Sequence, residues 1–200
     1  MKPLLKRLFI DSATPYLCLA VLEDTKVLDS IYQKGDNNHS ETLMPHLEIM
    51  LKRQGLKPKD IDEIYVGIGP GSYTGVRIGV VVAKVLAYSL NIPVYKVSSL
   101  ALLASHYSDE KIIPYIDARR GYAFLASYVQ KEGKLSLIEG PVYDELDIWL
   151  NQSKGRFVVE GEPDYAKIIV SEIAVKVRDV HMLAPTYLRK TEAEANLNEG

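Results

Sequence analysis

Five of the thirteen residues from position 67 to 79 are glycine: Gly67, Gly69, Gly71, Gly75 and Gly79. They follow a short apolar run, Ile64-Tyr65-Val66, and lead into a longer one over residues 76–90. This pattern predicts a strand, a tight loop and a helix. Such a junction either holds an anion on free helix N–H groups or lets two backbones touch. A Walker loop needs Gly-x-x-x-x-Gly-Lys-Ser/Thr, and the required lysine is absent; Arg77 stands two residues beyond Gly75. A dinucleotide fingerprint needs Gly-x-Gly-x-x-Gly, which Gly67, Gly69 and Gly71 do not satisfy. A nest of successive N–H groups remains open as an anion site. Its loop residues are Gly69, Gly71, Ser72 and Thr74, with Asp11 at the end of the first predicted strand as the acid that could hold a metal-nucleotide. A turn-forming aspartate is the plainer reading of Asp11.

Other groups carry less. His39 and His46 are seven apart, two helical turns or roughly 10 Å, whereas metal-binding helices place histidines four apart. No metal site is expected. Asp117-Ala118-Arg119-Arg120-Gly121 reads as a hairpin turn with local positive charge. Ser72 is not in a Gly-x-Ser-x-Gly elbow, and no Ser-His-Asp set emerges by spacing. The thirteen tyrosines, against three phenylalanines, suit strand margins with wet hydroxyls.

The elements that must position these residues follow from periodicity. Strands are predicted at 8–11, 16–22 and 27–32, an amphipathic helix at 39–54, a strand at 64–66 and a helix at 74–90. A strand at 94–97 and a helix capped by Ser98 or Ser99 complete a first lobe over residues 1–107. In the 39–54 helix, either Thr42 is the cap and Pro45 lies in the first turn, or the helix starts near Asn38 and kinks. After a polar break at 108–111 the order partly repeats: strands at 112–116, 122–129 and 135–142, a short helix at 145–150, a strand at 156–159 and a helix at 164–177. This is a smaller lobe with a tail over 108–200, frayed at 191–200. Two such mixed sheets suggest an α/β protein built of two ribonuclease-H-like lobes, the second abbreviated.

The 74–90 helix is apolar almost all round, with Arg77, Lys84 and Tyr88 in one narrow sector. Such a helix is buried on more than one side. Gly75, Gly79, Ala83 and Ala87 recur every four residues and form a stripe that a second backbone can approach. What covers the second side is either the neighbouring helix and second lobe or another chain.

Net charge is −2, and 47% of residues are hydrophobic. That balance argues against a stand-alone nucleic-acid binder but leaves room for a local basic patch. The single cysteine, Cys18, forms no internal disulfide and suits a reducing compartment. The start of the chain lacks a sustained apolar core for a secretory signal, since Asp11 interrupts it. The 76–90 stretch carries Arg77 and Lys84 and reads as too short to span a bilayer. A cytoplasmic protein without a membrane partner is expected.

Several segments in order resemble the TsaB (YeaZ) family of tRNA threonylcarbamoyladenosine biosynthesis. They are Phe9-Ile10-Asp11-Ser12, His39-Ser40-Glu41 with Leu43 and Pro45, and the run Gly69 to Gly79 with Ala83-Lys84. Val97-Ser98-Ser99-Leu100 with Ala104, Ile116-Asp117-Ala118-Arg119 and Pro185-Thr186-Tyr187-Leu188-Arg189 follow. The match is loose over 130–184. Ser12-Ala13 after Asp11 stands where the family more often has Thr-Ser, and Tyr73 and Val76 where Phe and Leu are commoner. The resemblance implies an actin-like ATPase (ASKHA) superfamily fold and a non-catalytic subunit that needs no cofactor of its own. It also implies pairing with the TsaD paralogue through the first two helices, with the TsaE ATPase joining. tRNA is then met only indirectly, through TsaD, which transfers threonylcarbamoyl to the adenosine beside the anticodon.

The expected partner interface is Leu43, Leu47 and Met50 beside Gly75, Gly79, Val82, Ala83 and Leu86. Bulky residues at Gly79 or Ala83 are then expected to break pairing while the monomer stays folded. Self-pairing into a homodimer is expected when the partner is absent. Asp11, Gly69, Gly71, Ser72 and Thr74 become a vestigial nucleotide loop. The alternatives are an ATP-binding hydrolase or transferase acting alone through Asp11, and a direct tRNA binder using Arg119, Arg120 and Arg189.

Overall fold

The computed structural model describes residues 4–35 and 38–189. The loop expected at 35–38 lies partly outside these residues, and the frayed tail at 191–200 lies wholly outside them.

The first lobe opens with three antiparallel strands, β1 (Lys6–Asp11), β2 (Tyr16–Glu23) and β3 (Lys26–Lys34). Helix α1 (His39–Arg53), β4 (Glu63–Gly67), α2 (Tyr73–Leu90), β5 (Val94–Val97) and α3 (Ser99–Ser105) follow. Both β4 and β5 run parallel to β1 through crossover helices. The second lobe repeats the order with β6 (Lys111–Asp117), β7 (Tyr122–Lys131), β8 (Lys134–Glu145), α4 (Leu146–Gln152), β9 (Arg156–Val158) and α5 (Tyr165–Val170). Its sheet runs β8-β7-β6-β9, the same arrangement as β3-β2-β1-β4.

The helix expected over 164–177 ends at Val170, and Val175–Lys176 form β10 instead. Strand β10 pairs antiparallel with β5, so the first sheet has the order β10-β5-β4-β1-β2-β3. The chain thus crosses back over the expected boundary at residue 107 and finishes on the first lobe.

The helices sort by face. Leu43, Leu47, Met50 and Leu51 of α1 and Val76, Val80, Ala83 and Ala87 of α2 pack with Leu8, Ile10, Ile64 and Val66 on the outer face of the first sheet. All seven residues of α3 are buried. Leu100 to Ala104 pack with Phe9 and Leu22 of one sheet, Ile112 and Tyr128 of the other, and Ile168 of α5. Trp149 of α4 covers the far face of the second sheet against Ile113 and Leu125. The layers are therefore α1/α2, sheet, α3/α5, sheet, α4.

Of the two expected starts for α1, the helix takes the earlier, with Asn38 as its N-cap and Pro45 inside. Its C-terminus is closed by Gly55 at φ +66°, with Leu56 N–H donating to Leu51 O at 2.9 Å.

Candidate functional site

Strand β4 delivers the chain into the glycine loop, and the loop is packed against the β1–β2 turn. Ser72 N–H donates to Ala13 O at 2.7 Å, and Gly69 N–H to Ser99 Oγ at 3.1 Å. The Ser72 hydroxyl caps α2 by accepting from Gly75 N–H at 3.1 Å. A Cβ on Gly75 would stand 2.2 Å from Ser12 O, and one on Gly79 would stand 2.7 Å from Ser12 Oγ. Ser12 Oγ in turn donates to Gly75 O at 2.8 Å and accepts from Gly79 N–H at 3.0 Å. The glycines let helix and strand touch, and these N–H groups have partners within the chain. Thr74 lies exposed in the first turn of α2.

Asp11 is buried beside this loop. Its Oδ1 accepts from Ala13 N–H and from Ser99 Oγ, each at 3.0 Å. Burial pushes its carboxyl up to about 6, against the partial relief of those hydrogen bonds. Facing it across the lobes is the segment 160–164. Tyr16 donates its hydroxyl to Glu160 Oε2 at 2.6 Å, Ser30 to Glu162 Oε1 at 2.6 Å, and Gly161 N–H donates to Tyr32 Oη at 2.8 Å. Tyr16 and Tyr32 stack with centroids 4.5 Å apart. The cavity left between Asp11, Cys18, Ser99 and this strap is about 10 Å³, room for about one water. An adenine nucleotide, the ligand usual to actin-like ATPases, does not fit these residues. Small-molecule pockets run to hundreds of Å³, and the N–H groups of Gly69, Ser72, Gly75 and Gly79 already have partners within the chain.

The expected partner interface is largely inside the chain. Leu43, Leu47, Met50, Gly75, Gly79 and Ala83 are buried in the first lobe's own core, while Val82 and Leu86 are half-buried against it. The small-residue stripe is covered by β1 and Ser12, because the helix must come close to the sheet. The exposed side of α2 carries Val81 and Val85, each 57% exposed, and Tyr88 at 65%. Met44 and Ile49 of α1 are exposed too. Sequence periodicity marks the buried stripe strongly. The outer stripe at 81, 85 and 88 has helical spacing as well, and could have been read the same way.

A strap over residues 180–189 borders this face. Lys84 Nζ donates to His181 O at 2.6 Å, and Tyr88 meets the His181 ring at 5.2 Å. Arg77 donates to the hydroxyls of Tyr187 and Tyr73, and Thr186 N–H donates to Ile68 O at 2.8 Å. The two cations in the helix are therefore tied to the chain, and its outer face stays uncharged. By length and composition α2 is long and apolar enough to cross a membrane; it runs three residues further than the 76–90 stretch. Here it is packed on the sheet.

His39 is buried, with Nε2 3.0 Å from Thr14 O, so that nitrogen carries the proton. Among the described residues there is no cluster of three metal-ligating side chains. Arg119 and Arg120 sit at φ +69° and +57° in the hairpin turn, with Asp117 Oδ1 accepting from Arg119 N–H.

Comparison with known proteins places this geometry. Residues 27–184 match the family model described as TsaD, tRNA N6-adenosine threonylcarbamoyltransferase. The Bacillus subtilis tRNA threonylcarbamoyladenosine biosynthesis protein TsaB is 34% identical, covering 94% of this chain and 96% of its own length. The Escherichia coli TsaB is 28% identical over 89% of this chain and 80% of its own. The solved YeaZ of Pseudomonas aeruginosa superposes with a TM-score of 0.78 at 23% identity, covering 92% of this chain and all of the other. The fold is thus the actin-like, two-lobed one.

Proposed function

The chain belongs to the TsaB family of tRNA threonylcarbamoyladenosine biosynthesis proteins, and on that premise we propose that it is the non-catalytic partner of a TsaD-type transferase. Its role in tRNA threonylcarbamoyladenosine biosynthesis follows from the family. The finer reading is that it holds and activates TsaD by helix-to-helix pairing, with a TsaE-type ATPase joining the assembly. Such work belongs in the cytoplasm, where tRNA is modified.

The observation that carries this reading is the outer face of α2. Val81, Val85 and Tyr88 form an uncharged stripe at spacing i, i+4, i+7, each more than half exposed. Contiguous apolar surface of this kind marks an interaction site. The TsaD-type match spans α1 and α2, so the partner brings an equivalent pair of helices. The same face would pair two copies of this chain when TsaD is absent. The filled cleft at Asp11 supports the non-catalytic part.

The test is Val81→Asp with Val85→Asp. The double variant is expected to fold normally, to lose copurification with TsaD and to scatter light as a monomer. Retained copurification would sink the reading. Calorimetry with magnesium-ATP addresses the enzyme alternative: micromolar binding abolished by Asp11→Ala would overturn the non-catalytic reading.

A further inference from the structure

Four of the tyrosines gather where the 180–189 strap passes from the first lobe to the second. Arg77, one turn ahead of Val81 on α2, has its guanidinium 3.9 Å from the centre of the Tyr73 ring and 5.6 Å from that of Tyr187. The two rings are 5.0 Å apart, centre to centre. Two residues further on, the Arg189 guanidinium stands 5.5 Å from the centre of the Tyr143 ring on β8. Tyr143 in turn stacks on Tyr122 of β7, at 5.0 Å with the planes 13° apart. Two residues of chain span at most about 7 Å. The two stacks therefore follow one another in a row, from the first turn of α2 to the second sheet. Tyr73, Arg77, Tyr187 and Arg189 are exposed, and Tyr122 and Tyr143 are half-buried. A carboxylate, Glu145, accepts from the Tyr122 hydroxyl at 3.0 Å and leaves the ring in the stack.

The helix pairing uses none of these six side chains. The stripe on α2 is aliphatic and uncharged, whereas this row alternates aromatic rings with guanidiniums. Flat rings beside positive charge are the composition of surfaces that hold unpaired bases, since every base has a π-face. We propose that this row stacks unpaired bases of the tRNA substrate, so that the chain meets the RNA directly and not only through TsaD. The proposal rests on the reading that the chain serves a tRNA-modifying assembly. That reading puts the modified adenosine beside the anticodon, in a loop of unpaired bases. Unpaired loop bases are the RNA feature that aromatic side chains take up, because those in a duplex are already stacked. Arg77 is one helical turn from Val81, so RNA on the row lies alongside a partner docked on α2. A net charge of −2 is no obstacle, because the rings hold bases by their faces and the two guanidiniums supply charge locally.

The test uses an anticodon stem-loop RNA with 2-aminopurine in its loop, and a fully paired RNA of equal length. Anisotropy follows binding and 2-aminopurine quenching follows stacking, for the chain alone and for its equimolar mixture with TsaD. Tyr73→Leu with Tyr187→Leu removes two rings. Tyr73→Phe with Tyr187→Phe keeps the rings and removes the hydroxyls that Arg77 bonds. The leucine pair is expected to weaken stem-loop binding about tenfold or more and to abolish the quench, with the phenylalanine pair close to wild type. Tyr143→Leu, on the other lobe and clear of α2, is expected to weaken it about fivefold or more. Paired RNA is expected to bind weakly and equally to all of them. Absence of quenching by the wild-type chain in both settings overturns the proposal, as does unchanged binding in both leucine variants. An equal loss in the phenylalanine pair also overturns it, and makes the hydroxyl contacts of Arg77 a latch for the strap. Copurification with TsaD is expected to persist in every variant. Its loss in the leucine pair, with stem-loop binding to the chain alone intact, overturns the proposal and assigns the row to the protein interface. The helix-pairing reading fails separately, by retained copurification of Val81→Asp with Val85→Asp.

Discussion

Ser12 and Gly79 are in direct contact: the Ser12 hydroxyl accepts the Gly79 N–H at 3.0 Å and leaves no room for a side chain there. Gly75 is tighter, since a Cβ would fall 2.2 Å from a backbone oxygen rather than a hydroxyl. Gly79→Ala is expected to cost about 1 kcal/mol, overpacking of about 2 offset in part by better helix propensity. Gly75→Ala costs more, about 3 kcal/mol, because backbone must move. Denaturant midpoints give the order. This revises the expectation that bulk at Gly79 or Ala83 breaks pairing and leaves the monomer folded: the monomer itself is the first casualty.

Asp11 gives a pH signature. Its folded carboxyl, at about 6, lies above its ordinary value of 3.8. Between those values the native state binds the proton that the unfolded chain has lost, so stability falls as pH rises from about 4 to 6. The full effect is on the order of 3 kcal/mol, gained below the unfolded value and absent above the folded one. Asp11→Asn keeps an acceptor for Ala13 and Ser99. The difference between wild-type and variant melting profiles is expected to change across pH 4–6 and to be flat above pH 7. A flat difference throughout would show that Asp11 is ionised in the folded protein across that range.

Lys167 joins three elements. Its ammonium donates to Ser105 O at 2.6 Å, Tyr107 O at 2.7 Å and Gln130 Oε1 at 3.1 Å. Lys167→Met keeps the aliphatic stem and strands these acceptors. A loss of about 3 kcal/mol is expected in equilibrium unfolding, as buried unsatisfied groups cost about 1–3 kcal/mol each.

Cys18 is buried on strand β2, between β1 and β3, and burial raises its thiol well above the ordinary value. A thiol that is neither exposed nor ionised reacts slowly. Ellman's reagent is expected to miss it in the native protein and to count one thiol in denaturant. Prompt labelling under native conditions would contradict the packing around β2.

Much of the fold was legible. The five strands and three helices of the first lobe lie where alternation, helical spacing and capping put them: α1 and α2 are long periodic runs, and the short β4 and β5 are apolar runs bounded by turn or loop residues. Strand β10 was not, because Val175 and Lys176 alone carry no period and owe their pairing to β5. The candidate site was half legible. Glycines at 75 and 79 announced close packing, but sequence does not say against what; the nearest backbone was the chain's own Ser12.

The return of β10 also sets an order of events. The first sheet starts at Lys6 but gains its last strand and the strap along α2 only from residues 175–189. The second lobe is, in effect, an insertion within the first. During synthesis it emerges complete while the first lobe still lacks its edge strand and the strap that borders α2. The outer face of α2 therefore gains its border late, and a nascent chain has no complete face there before residue 189 has left the ribosome.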